Sequence, residues 1–83
     1  MSLALSDTFA RELKAFRIKM NYKQEYFCKL LEISQPTLSR IENRKIDVDR
    51  WDVSDMVLAL TNAEPQRIEG AFKQTEKIFN ETA

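Results

Sequence analysis

A chain of 83 residues, with 13 Lys or Arg, 13 Asp or Glu and a formal net charge of zero, makes one small domain and is too short for a second core. One glycine, two prolines and abundant Leu, Ile, Phe, Lys and Glu point to an all-α fold, since no β-branched run bounded by turn signals is present. With no histidine and a single cysteine, Cys28, an intramolecular disulfide and the usual Cys/His zinc frameworks are excluded, and no metal or cofactor is implied.

Residues 1–5 read as an N-terminal tail, in part a cloning remnant, without the basic-then-apolar layout of a signal peptide. No window is long and apolar enough for a membrane span, so a cytoplasmic protein is expected. A first helix is predicted from Asp7 to Met20 with Ser6 as its cap. Phe9, Leu13, Phe16 and Met20 then form one apolar stripe, which is core. A second helix runs from Lys23 or Gln24 to Leu31, with Phe27, Leu30 and Leu31 at the spacing of a buried face. Tyr26 is read as extending the core, the alternative being a hydroxyl turned to a ligand. The third helix, Gln35 to Glu42, opens with Ser34 as a capping residue and with Pro36 in the first turn, where its missing N–H costs nothing. Leu38 and Ile41 point back towards the second helix. Gln35, Pro36, Thr37, Ser39 and Arg40 are left outward, on a face suited to a DNA major groove.

Ile46 to Val48 is a connector. Asp49 caps a fourth helix with Asp52 three residues on, and Val53, Met56, Val57 and Leu60 make its inward stripe. Trp51 and Leu58, seven apart, fall off that stripe. A fifth helix is predicted from near Pro65 to Asn80, with Ile68, Phe72, Thr75 and Phe79 at nearly heptad spacing, weakened by Gly70 by up to ~1 kcal/mol. The chain divides into a domain over residues 6–61 and a C-terminal helix over 62–83.

Gln24, Phe27-Cys28, Ile33-Ser34-Gln35 and Leu38-Ser39-Arg40-Ile41-Glu42-Asn43 occur in order and without a gap. The stretch resembles the helix-turn-helix of the lambda-repressor and Cro (XRE) family, with two departures. Glu32 stands where the family has a turn glycine, and Lys23 where a Ser or Thr cap is usual. The resemblance implies a five-helix lambda-repressor-like domain with an extended C-terminal helix, a scaffold helix over 23–31 and a recognition helix over 35–42. It further implies that Arg17 pairs with Glu42 as a clamp, that Gln24 meets a phosphate and braces Gln35, and that Cys28 is a buried spacer. Glutamine can pair with adenine and arginine with guanine, while apolar groups touch thymine methyls. Gln35, Pro36, Thr37 and Arg40 are therefore the candidate base readers. Lys23, Gln24, Ser34, Ser39, Asn43, Arg44 and Lys45 are candidate phosphate contacts.

The zero net charge hides an asymmetry. Residues 11–45 carry nine basic and four acidic side chains, and residues 46–83 carry four basic and eight acidic ones. A phosphate backbone would be drawn to the first part and repelled by the second. By resemblance the chain is expected to be a sequence-specific, double-stranded-DNA-binding transcriptional regulator, a repressor acting as a homodimer on a palindromic operator. Trp51, Leu58, Ile68, Phe72 and Phe79 are the expected dimer interface, the alternative being a last helix that folds back over Trp51 and Leu58 within one chain. An antitoxin or restriction–modification controller of the same family stays open, with a toxin or antirepressor as protein partner. So does an adaptor on the same scaffold. Enzyme activity is not expected, since no histidine, glycine-rich phosphate loop or nucleophile–base spacing is present.

Overall fold

The core gathers round the first-helix stripe, of which Phe9, Leu13 and Phe16 are buried and Met20 half-buried. The computed structural model describes residues 3–81, in the order α1 (Leu3–Lys19), α2 (Gln24–Leu31), α3 (Gln35–Glu42), α4 (Arg50–Ala63), α5 (Pro65–Ile68) and α6 (Lys73–Glu81). The described residues contain no strand, and none of their helices is long and apolar enough to cross a membrane.

The start of α1 corrects the sequence reading. Leu3 to Ser6 are already helical, so the expected tail over 1–5 and the Ser6 cap do not hold; residues 1 and 2 lie outside the described residues. Leu5 sits one turn before Phe9, lengthens the apolar stripe and is buried. Burying a leucine contributes roughly 1.5–3 kcal/mol, against about 1 kcal/mol for a typical cap. Ser6 turns inward instead, and its Oγ accepts the Val48 N–H at 2.9 Å. That bond fastens the α3–α4 connector, where Val48 is itself buried, to α1.

Helices α2 and α3 begin and end where the sequence places them. In α4, Asp49 caps as expected, accepting the Asp52 N–H at 2.9 Å, and Val53, Met56, Ala59 and Leu60 are buried. The C-terminal segment is not one helix. It breaks after Ile68, turns through Gly70 at φ 76°, and resumes as α6, giving six helices among the described residues rather than five. The turn carries the chain back onto α1. Phe72 is buried there, its ring 5.7 Å from that of Phe9 and 5.8 Å from that of Phe16. Glu12 caps the returning helix: its Oε1 accepts the Thr75 N–H at 2.7 Å and the Thr75 hydroxyl at 2.6 Å, and its Oε2 accepts the Gln74 N–H at 3.3 Å. Phe72, expected at an interface between chains, therefore belongs to the core of its own chain.

Candidate nucleic-acid interface

The turn between α2 and α3 is built on a strained residue. Glu32 adopts the left-handed conformation, φ 61° and ψ 40°, so that its own N–H reaches Lys29 O and the Ile33 N–H reaches Cys28 O. This closes the last carbonyls of α2 as a glycine C-cap does, but a side chain there costs roughly 1–2 kcal/mol. Phe27, Cys28 and Leu31 of α2 and Leu38 and Ile41 of α3 are buried between the two helices and the core. Cys28 is thus the buried spacer that the sequence suggested.

Ser34 opens α3. Its Oγ accepts the Thr37 N–H at 3.3 Å and lies 2.7 Å from the Thr37 hydroxyl, so both hydroxyls are engaged in holding the first turn. At about 100° per residue, the buried Leu38, Ile41 and Glu42 define the inward direction, and Pro36, Arg40 and Asn43 point opposite. Gln35 and Thr37 lie on the flanks of that face, with Gln35 exposed and Thr37 half-buried. Ser39 is half-buried, and its Oγ accepts from Asn43 Nδ2 at 3.4 Å.

Three donors converge on the end of α3. Arg17 Nε donates to Glu42 Oε2 at 2.7 Å, Arg17 Nη2 to Glu42 Oε1 at 3.0 Å, and Gln24 Nε2 to Glu42 Oε1 at 2.9 Å. Arg17 Nη1 also donates to the Tyr22 carbonyl at 3.0 Å. The Glu42 side chain is 2% exposed and that of Arg17 is 17%. One carboxylate therefore ties α1, the start of α2 and the end of α3 into a single unit. Gln24 serves this clamp and does not brace Gln35, a correction to the expected contact; its side chain is directed to the buried carboxylate.

The edges of the site are basic. Lys23 precedes α2 in an extended conformation and makes no side-chain cap, leaving the first N–H groups of the helix open to an anion. Beyond α3, Asn43 is the C-cap, Arg44 takes a left-handed φ of 57°, and Lys45 is exposed. Arg44 Nη1 lies 3.1 Å from Asp7, half-exposed on both sides, a pair weak enough for a phosphate to displace.

Sequence reasoning missed the role of Tyr22. Its ring packs against Phe16, Phe27 and Tyr26, its hydroxyl donates to Glu64 Oε1 at 3.1 Å and accepts from Arg67 Nη1 at 2.9 Å, and the loop before α2 is thereby fixed to the α4–α5 junction. Tyr26, read as core, is exposed and stacks edge-on to Tyr22, because the core positions at this end are filled by Tyr22 and Phe27.

Residues 13–50 match a family model described as Helix-turn-helix, a span that holds the Arg17 clamp, α2, α3 and the connector. No curated protein and no solved structure matches the chain.

Proposed function

We propose that this chain, whose residues 13–50 match a helix-turn-helix family model, is a lambda-repressor/Cro-like (XRE) DNA-binding regulator, and that it is a repressor whose two copies read the half-sites of a palindromic operator. One observation carries this reading. The only outward face of α3 presents Pro36, Arg40 and Asn43, with Gln35 at its N-terminal edge, on a helix locked in place by Glu42. In this reading Arg40 and Gln35 supply directional hydrogen bonds to base edges, Pro36 and the Thr37 methyl touch thymine methyls, and Lys23, the first N–H groups of α2, Asn43, Arg44 and Lys45 hold the phosphates on either side. Ser34 and Ser39 act through the turn and the helix end that their hydroxyls already hold. An eight-residue helix spans few base pairs, and two copies one DNA turn apart double the sequence that is read. Repression follows from occupancy of a promoter.

Selection of genomic fragments by the purified protein, at two salt concentrations and alongside the Gln35→Ala, Arg40→Ala double variant, tests this. An inverted repeat with half-sites about one helical turn apart, lost in the variant, is expected. Binding without a motif that disappears at modest salt would reduce the interaction to its phosphate part and overturn the proposal.

A further inference from the structure

Trp51 is 75% exposed and Leu58 is 58% exposed, both on α4. Seven residues apart, they stand two turns along one crest of the helix, within about 20° of each other. A groove runs on either side of that crest. The one between α4 and α6 is walled by Val57, Ile68, Phe72 and Phe79, with Leu58 on its lip. The other lies between α4 and the α2–α3 turn, with Ile33, Ile46 and Met56 in its wall and Leu58 again on its edge. Isolated apolar side chains on a surface need no explanation, but a crest flanked by two such grooves does.

Carboxylates dominate the charge on this face. Glu69 and Glu76 line the first groove, and Glu32, Asp47, Asp52 and Asp55 line the second, while no lysine or arginine among the described residues lines either. Arg50 stands beside the first groove with its guanidinium 4.1 Å from the centroid of the Phe79 ring. We infer that the α4 face is a docking site for a cationic amphipathic helix of a partner protein. The helix seats an apolar stripe over Trp51 and Leu58 and sets lysines or arginines over the carboxylates on both flanks. The two-turn length of the crest suits i, i+3, i+4, i+7 anchors, the mode in which helices enter apolar grooves. A second copy of this chain is the poorer occupant, because two-fold pairing sets the same acidic excess on both sides of the contact. The inference stands independently of the DNA reading.

Trp51 is the only tryptophan, so its emission reports on this face alone. The probe is a synthetic helical peptide of leucine and lysine with leucines at i, i+3, i+4 and i+7, compared with a counterpart carrying glutamate in place of lysine. A saturable blue shift with the lysine peptide is expected, with none for the glutamate peptide. Affinity should fall at least tenfold in Leu58→Ser and in the Asp55→Lys, Glu76→Lys double variant, with circular dichroism confirming that each remains folded. The absence of a shift, an equal response to both peptides, or a response unchanged in the variants would overturn the inference. So would a peptide-free protein that sediments as a dimer with Trp51 emission already blue-shifted, since a second copy would then cover the face.

Discussion

Glu42 accepts three hydrogen bonds at a site where its side chain is almost wholly removed from water, so its partners matter more than those of a surface pair. Removing one member of such a pair strands the other. Arg17→Ala is expected to cost about 2–3 kcal/mol, below the full figure for a buried pair because Arg17 retains some contact with water and Gln24 still donates to Glu42. Glu42→Gln should lower both the melting temperature and the DNA affinity; if neither moved, Glu42 would not be a clamp. Tyr22 gives the residue scale a pH dependence. Its phenol is held above its ordinary value chiefly by burial, with the Glu64 hydrogen bond adding to the rise and Arg67 opposing it. The unfolded chain therefore loses this proton first. The contribution is complete below the unfolded value of 10.0 and is lost as pH rises through the higher folded value. Urea midpoints followed into alkali should fall less steeply in Tyr22→Phe than in the parent protein, and identical slopes would place the titration elsewhere.

At the scale of elements, two of the turns that pass through a left-handed residue respond in opposite directions to substitution. Glu32 holds a left-handed conformation with a side chain attached. Glu32→Gly should relieve about 1–2 kcal/mol of strain while returning roughly 0.5–1 kcal/mol of chain freedom to the unfolded state. The net gain, up to about 1 kcal/mol, corresponds to a rise of some 4–8 °C in a domain of this size. Gly70→Ala should destabilise by about 1–2 kcal/mol. The added Cβ would come to 3.3 Å of Lys73 Cε, a flexible group that can move aside, so the loss comes from the φ of 76° and not from crowding. Thermal denaturation of both variants checks the pair. Helices α2 and α3 were legible because their caps and apolar spacings are local. The break between α5 and α6 was not, because Gly70 alone only weakens a helix. What turns it into a break is the gain made when Phe72 meets Phe9 and Phe16 and when α6 meets Glu12, about sixty residues away in the chain.

For the molecule as a whole, Lys23, Arg40, Arg44 and Lys45 stand on α3 or at the ends of α2 and α3, while α6 lies against α1. Lys45→Ala should reduce the slope of log affinity against log salt by about one, whereas Lys73→Ala and Lys77→Ala should leave it unchanged. Equal effects at all three positions would mean that DNA meets no preferred face. The sequence by itself determined the helical class, the bounds of α2 and α3 and, through the family resemblance, the Arg17–Glu42 pair, because each depends on side chains a few positions apart or on a motif of fixed spacing. Only the tertiary structure decided that Leu5 is core, that Gln24 serves Glu42 rather than Gln35, that Tyr26 lies outside, and that Phe72 folds inward and leaves Trp51 and Leu58 uncovered. These depend on which distant side chains compete for the same apolar volume or the same carboxylate, and that competition is resolved only when the helices pack.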